Sequence, residues 1–102
     1  MIPTARKAED LERLRAAGLE PIALEMADEA SVNAAADETL RRFGGAIGAV
    51  VNNAGYGQPG AVEDVTRGIA RRQFEVNVFG LQQLTNRFIP VFRERGAGRI
   101  VN

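Results

Sequence analysis

The chain has 102 residues, of which 45% are hydrophobic and 25% are charged. The charges of its thirteen basic and thirteen acidic residues cancel, so it lacks the net charge of a general nucleic-acid or anionic-membrane binder. It contains no Cys and no His, which excludes disulfides, thiolate nucleophiles, His general bases and Cys or His metal ligands; we expect no metal site. No apolar run approaches the ~20 residues that span a bilayer, and residues 1–7 lack the apolar stretch of a signal peptide, so we expect a cytoplasmic protein that contacts no membrane.

The first half of the chain alternates short apolar runs with helical patterns. Apolar positions separated by charges indicate an amphipathic helix over Lys7–Ala17, and Gly18 supplies the left-handed residue that commonly ends a helix. Asp28 is a plausible N-cap for a second helix, which extends to about Phe43. Short strands are predicted before each helix, at Met1–Thr4 and Pro21–Leu24.

The second half repeats this alternation. The β-branched run Ala49–Val51 is typical of a parallel strand buried on both faces. Thr66 caps a long helical segment that reaches towards Arg95, with an end or kink expected near Ile89 because Pro90 removes a backbone donor. A further strand begins at Arg99.

Strands that alternate with helices of this length predict an α/β fold with a parallel, doubly wound sheet of about four strands and helices on both faces. Right-handed crossovers between the strands are then the default. The carboxyl ends of the strands are where such sheets bind ligands.

Asn52-Asn53-Ala54-Gly55 lies at the carboxyl end of the predicted strand Ala49–Val51. Small residues at this place let a ligand approach the backbone, and Asn side chains can connect neighbouring strands. The alternative is an ordinary strand-to-loop turn, in which Asn and Gly are common.

Asn77 lies within an apolar helical stripe, and Gly80 follows one turn later. An amide in such a stripe is expected to be buried and therefore to need hydrogen-bond partners. Because Gly lowers helix stability by about 1 kcal/mol relative to Ala, the pair indicates a distorted helix with close packing or a bound water. A purely structural core Asn is the alternative.

The Asn-Asn-Ala-Gly turn, the segment Phe74–Gly80 and the strand start Gly98–Asn102 together resemble the short-chain dehydrogenase/reductase family, and the resemblance covers essentially the whole chain. It implies an NAD(P)(H)-dependent oxidoreductase that acts on a small alcohol or carbonyl substrate. The fold it implies is a partial Rossmann-like sheet, with residues 1–102 forming a single incomplete NAD(P)-binding domain. A non-catalytic remnant or an interaction or nucleotide-binding module that keeps only the scaffold is the alternative.

The resemblance also assigns residues to roles. Asn77 matches the catalytic Asn, whose backbone carbonyl holds a water in a proton relay. Glu25 and Met26 lie in the turn that contacts adenine, where Glu25 replaces the family's usual Asp. Arg6 occupies the place where NAD-preferring members carry an acidic residue, which favours NADP over NAD, although a solvated charge at a helix start is the alternative. The remaining expected cofactor contacts are Asn52, Ala54, Gly55 and Val78.

The loop Gly55–Gly60 fits the pattern G-x-G-x-x-G of dinucleotide-binding turns. We reject it as the main phosphate site because Pro59 removes a donor and no long helix is predicted to open at Gly60. In the family this loop borders the substrate, so Tyr56 and Gln58 are expected to line the substrate pocket.

The family's Gly-rich phosphate-binding turn and its catalytic Ser, Tyr and Lys have no counterparts in this sequence, so we expect no dehydrogenase activity from the 102-residue chain alone. The family's first strand, which lies between strands two and four, is also unmatched. One hypothesis is that Met1–Thr4 pairs directly with Ala49–Asn52, which would give the order 2-1-3-4. A marginally stable or aggregation-prone domain is expected, and the helix from Thr66 resembles one that packs against a partner in homo-oligomers.

Overall fold

The computed structural model describes residues 1–102, and its elements follow the predicted alternation of strands and helices. A 3₁₀ turn and a π-helical turn accompany the regular elements. In chain order the elements are β1 (Thr4–Ala5), α1 (Ala8–Ala16), β2 (Ile22–Ala23), α2 (Glu29–Phe43), β3 (Ala49–Val51), the 3₁₀ turn (Val62–Asp64), α3 (Arg67–Phe74), the π turn (Glu75–Gly80), α4 (Leu81–Arg95) and β4 (Arg99–Val101). The predicted α/β class is confirmed.

The four strands form two parallel pairs. Strand β1 pairs with β2, with Thr4 opposite Ile22, and β3 pairs with β4, with Ala49 opposite Arg99. From β1 the chain moves outward to β2 and then returns past β1 to β3. Helix α1 contacts β1, while α2 contacts β2 and packs against α4.

A cleft of about 610 Å³ separates β1 from β3. Residues 1–4 line one side of it and residues 48–54 the other, while Ala35 of α2 and Leu84 and Phe88 of α4 contribute to the lining. The hypothesis that Met1–Thr4 pairs with Ala49–Asn52 is therefore wrong. The packing of α2 against α4 positions the two strand pairs, and the edges of β1 and β3 do not meet.

The core lies between β2, α2 and the π turn. Its most deeply buried large side chain is Val32, and the cluster around it consists of Ile22, Leu24, Met26, Ala35 and Val76. The prediction that Ala49–Val51 is buried on both faces is wrong, since Val51 is 67% exposed. Val51 lies on the cleft beside β1, where no neighbouring strand covers it.

The predicted helix ends are confirmed where a local hydrogen bond or backbone angle determines them. Asp28 Oδ1 accepts from the Ala30 N–H at 3.0 Å, and Thr66 Oγ1 accepts from the Ile69 N–H at 3.3 Å. Gly18, just beyond α1, has a φ of +80°. These contacts satisfy backbone groups that a helix end leaves free.

The helix does not end near Ile89, so of the end or kink predicted there, the end is wrong. Helix α4 includes Pro90 and continues to Arg95. Pro90 lacks a backbone N–H and therefore removes one helical hydrogen bond. Its side chain is exposed, whereas Phe88, two residues earlier, is only 4% exposed. The burial of Phe88 holds the apolar face of α4 in place despite the lost hydrogen bond. None of the helices is long and apolar enough to cross a membrane.

Candidate functional site

The carboxyl ends of β1, β2 and β3 open onto a second cleft, of about 490 Å³, which we call the β-end cleft. Its position beyond the strand ends is the usual ligand site of an open α/β sheet, and its volume is within the range of small-molecule pockets. Half of its lining residues are hydrophobic. The lining consists of Thr4, Ala5, Arg6, Leu24, Glu25, Met26, Ala54, Gly55, Tyr56, Gln58, Arg72 and Val76.

The turn that follows β2 is held by its own hydrogen bonds. Glu25 Oε1 accepts from the Ala27 N–H at 3.2 Å, and the Glu25 N–H donates to Ser31 Oγ at 2.9 Å. The Asp28 N–H donates to the Glu25 carbonyl at 3.1 Å, immediately before α2 begins. One carboxylate oxygen of Glu25 is therefore used within the turn, which fixes the side chain at the wall of the β-end cleft.

The other carboxylate oxygen of Glu25 faces Arg6. Arg6 Nε lies 3.7 Å from Glu25 Oε2, with the two side chains 54% and 31% exposed. An ion pair this exposed contributes about 0–1 kcal/mol, because water screens the attraction. An anionic ligand can therefore displace Glu25 from Arg6 at little energetic expense.

Asn52 connects three elements at the end of β3. Its Nδ2 donates to Thr85 Oγ1 of α4 at 3.1 Å and to Asn102 Oδ1, beyond β4, at 2.8 Å. Its backbone N–H donates to the Val101 carbonyl at 2.7 Å. The expected connection between neighbouring strands is therefore present. The buried Oδ1 of Asn52 has no partner, and Asn52 lines the cleft between β1 and β3 instead of the β-end cleft.

The side chain of Asn77 holds the loop that follows Asn52-Asn53-Ala54-Gly55. Asn77 Oδ1 accepts from the Tyr56 N–H at 3.0 Å, and its Nδ2 donates to the Tyr56 carbonyl at 2.7 Å. A Cβ at Gly55 would lie 3.1 Å from Asn77 Oδ1, so a larger residue would crowd this contact. Asn77 is half-buried instead of buried as predicted, but both ends of its amide have the partners that the prediction required.

The predicted distortion of the helix at Asn77 is confirmed, because Glu75–Gly80 form a π-helical turn. Single π turns within α-helices are frequent at functional sites. Gly80 packs against the backbone carbonyl of Met26, where a Cβ would overlap the oxygen. The close approach of Gly80 connects the π turn to the β2–α2 turn, so that two walls of the β-end cleft contact each other.

The β-end cleft brings together Arg6, Glu25, Met26, Ala54 and Gly55, five of the eight predicted site residues. Asn77 lies behind its wall, in contact with Tyr56. Val78 is 43% exposed and, like Asn52, does not line this cleft.

Five of the twelve lining residues were not predicted for the site: Thr4, Ala5, Leu24, Arg72 and Val76. Arg72 and Val76 are four residues apart in the helical segment that precedes Asn77, so they lie on one helical face, but this spacing does not by itself indicate the cleft. Tyr56 and Gln58, expected in a substrate pocket, lie on the same wall as Ala54 and Gly55.

The loop Gly55–Gly60 does not open a helix. The chain after Gly60 enters the short 3₁₀ turn Val62–Asp64, and α3 begins only at Arg67. A phosphate-binding turn of the G-x-G-x-x-G type needs a helix N-terminus directly after the glycines. The rejection of this loop as the main phosphate site is therefore supported.

The residues of the β-end cleft suit an adenosine-like ligand. Leu24, Met26 and Val76 offer apolar contacts for a flat ring, while Ala54 and Gly55 leave the backbone accessible. Arg6 can donate paired hydrogen bonds to a phosphate, and Glu25 can accept them from hydroxyl or amino groups.

Residues 2–102 match the family model described as short chain dehydrogenase. The uncharacterized oxidoreductase YbbO of Escherichia coli K12 is 35% identical over 96 residues, a span of 94% of this chain and 36% of that protein. The chain thus spans little more than a third of the length of this curated relative.

Solved structures give the same relationship. A short-chain dehydrogenase from Streptomyces avermitilis is 41% identical with a TM-score of 0.90, over 99% of this chain and 39% of that one. A short-chain dehydrogenase from Sphingobium yanoikuyae in complex with NADPH is 30% identical with a TM-score of 0.83, over 99% and 42%. The 3-ketoacyl-(acyl-carrier-protein) reductase of Brucella melitensis complexed with NADH is 32% identical with a TM-score of 0.82, over 93% and 40%.

Proposed function

We propose that this chain, which belongs to the short-chain dehydrogenase/reductase family, forms the part of an NAD(P)(H)-dependent oxidoreductase that holds the adenosine end of the cofactor and carries the catalytic Asn. The substrate class is a small alcohol or carbonyl compound. The observation that carries the proposal is the β-end cleft, in which Arg6, Glu25, Met26, Ala54 and Gly55 converge from three different strand ends.

The adenosine assignment rests on the chemistry of this cleft. Its apolar residues suit the faces of adenine, and the hydrogen-bonded turn after β2 presents Glu25 at the edge of the ring or the ribose. The small residues Ala54 and Gly55 leave room for the nucleoside beside the backbone. Relatives solved with NADPH and with NADH support a nicotinamide cofactor of either type.

Within this pair we propose NADP(H) as the preferred cofactor. Arg6 is a permanently charged donor at the end of β1, and its contact with Glu25 is long and exposed. A phosphate at the ribose 2′ position offers the guanidinium shorter, charge-assisted hydrogen bonds than Glu25 provides. A cofactor with free ribose hydroxyls would leave the Arg6–Glu25 pair unchanged and would gain less binding free energy from Arg6 than a 2′-phosphate does.

The proposed role of Asn77 has two parts. Its side chain holds Tyr56 and thereby the loop that borders the cleft. Its backbone lies in the π turn, where the hydrogen-bond register differs from that of an α-helix, and the family resemblance assigns its carbonyl the task of holding a water for proton transfer. Hydride transfer is the chemistry that a bound nicotinamide would supply.

The test is cofactor binding by the full-length protein. NADPH and NADH are titrated against the unmodified protein and against Ala54→Leu, with Ala61→Leu on the exposed loop as the matched control. We expect micromolar binding that Ala54→Leu weakens at least about tenfold, because the added side chain occupies the cleft. If the unmodified protein bound neither cofactor, or if Ala54→Leu bound them as well as Ala61→Leu, the proposal would be wrong.

A further inference from the structure

The lining of the β-end cleft divides into two halves with different net charge. The half formed by residues 4–6 and 24–26 contains Arg6 and Glu25, whose charges cancel at a separation of 3.7 Å. The half that follows β3 contains Arg72 and no carboxylate. No Asp or Glu lies within ion-pair distance of Arg72, so the net positive charge of the cleft resides on this residue.

The backbone around Arg72 is held on both sides. Helix α3 begins at the Thr66 cap, and Val76, one turn after Arg72 on the same helical face, is 8% exposed. Asn77 is fixed to Tyr56 by two hydrogen bonds. The anchored helix therefore presents the Arg72 side chain to the same cleft that Arg6 lines.

Building on the proposed function, we propose that Arg72 is a specificity-determining residue that binds the 2′-phosphate of the cofactor together with Arg6. A phosphate monoester carries about −1.5 to −2 charges at neutral pH. Arg6 shares its single charge with Glu25, so Arg6 alone leaves most of this negative charge uncompensated. A second guanidinium with no partner of its own supplies the missing charge and further donors in a geometry suited to phosphate.

The experiment uses two ligands that differ only in the phosphate concerned, adenosine 2′,5′-bisphosphate and 5′-AMP. Their dissociation constants are measured by titration calorimetry on the full-length protein and on Arg72→Gln and Arg72→Lys. Arg71→Gln is the matched control, because Arg71 is the adjacent exposed arginine on α3, has no ion-pair partner and does not line the cleft.

We expect Arg72→Gln to weaken binding of the bisphosphate about tenfold or more. The same variant should weaken binding of 5′-AMP less than about twofold. Arg72→Lys should recover part of the bisphosphate affinity, and Arg71→Gln should change neither dissociation constant. Equal weakening of both ligands would overturn the inference, since Arg72 would then contact the adenosine. If Arg72→Gln changed the affinity for neither ligand, the inference about Arg72 would be overturned, but the proposed function would not be affected. Failure of the unmodified protein to bind either ligand would overturn both.

Discussion

The side-chain amide of Asn77 pairs with both backbone groups of Tyr56, accepting from the N–H at 3.0 Å and donating to the carbonyl at 2.7 Å. The two bonds join the π turn to the loop that borders the β-end cleft, across 21 residues of sequence. Both the oxygen and the nitrogen of the Asn77 amide are therefore engaged in holding the loop, with one hydrogen bond each.

Asn77→Ala is therefore expected to loosen the loop and weaken cofactor binding. Two hydrogen bonds to partly exposed backbone groups are worth about 1–2 kcal/mol in unfolding free energy. Asn77→Asp keeps the acceptor for the Tyr56 N–H but places an oxygen against the Tyr56 carbonyl, so it should be no better than Ala. Thermal unfolding and NADPH titration of the full-length protein measure both effects. Asn86→Ala, an exposed Asn on α4 without side-chain hydrogen bonds, is the control, and an equal effect of Asn86→Ala would contradict the prediction.

Gly80→Ala is expected to destabilise the protein although Ala is the better helix former. The new Cβ would overlap the Met26 carbonyl, and the obstacle is backbone, which cannot rotate away. We expect a loss of about 1–3 kcal/mol and weaker NADPH binding, because the β2–α2 turn must shift. In Gly68→Ala, the matched helical control, the nearest atom to the new Cβ is Thr66 Oγ1 at 3.9 Å. Chemical denaturation should show Gly68→Ala neutral or stabilising, and a stabilised Gly80→Ala would refute the packing argument.

The features read correctly from the sequence are those that neighbouring residues determine. Asp28 and Thr66 cap their helices through hydrogen bonds to amides two and three residues later, and Gly18 supplies the left-handed turn. The distortion at Asn77 and Gly80 was likewise readable, because an amide and a glycine in one apolar helical stripe conflict with regular packing.

The features that were misread depend on contacts between distant parts of the chain. The continuation of α4 past Pro90 depends on the burial of Phe88, and the exposure of Val51 depends on the position of β1. The inward turn of Glu25 towards Arg6 and the place of Arg72 on the cleft arise only when β1, β2 and α3 come together. Sequence spacing within one element carries no information on these contacts.

Glu25→Gln is expected to raise the preference for NADPH over NADH. The substitution removes the partner of Arg6 while its amide oxygen can still accept from the Ala27 N–H. Since exposed ion pairs contribute about 0–1 kcal/mol, the ratio of the two dissociation constants should change by up to about fivefold. Arg6→Gln should shift the ratio the opposite way. Glu12→Gln, which removes an ion pair with Arg15 on α1, is the control. A lowered NADPH preference in Glu25→Gln would rule out competition between Glu25 and the phosphate.

Glu38 should make the end of α2 sensitive to acid. Hydrogen bonds from Arg41 and Arg42 lower the pKa of its carboxyl from 4.5 to about 2. Because the folded-state pKa is depressed, the stabilisation is present above pH 4.5 and is lost as the pH falls towards 2. Glu38→Gln should flatten the decline of the unfolding temperature in this window, by a small amount that salt reduces further. Glu20→Gln, a loop carboxylate without an ion pair, should leave the decline unchanged, and identical profiles for both variants would contradict the assignment.

The 102-residue chain, expressed by itself, is expected to be marginally stable and to self-associate. Only ten of its 102 residues are buried, while Val51, Phe74 and Phe79 are each more than half exposed. The edges of β1 and β3 face the apolar cleft of about 610 Å³ without pairing. Unpaired strand edges beside exposed apolar surface favour association between chains. Light scattering should detect species larger than a monomer, and a dye that binds exposed hydrophobic surface should bind strongly. An activity assay should show no NADPH oxidation with carbonyl substrates. A monomer with a sharp unfolding transition and no dye binding would mean that the two strand pairs close in solution.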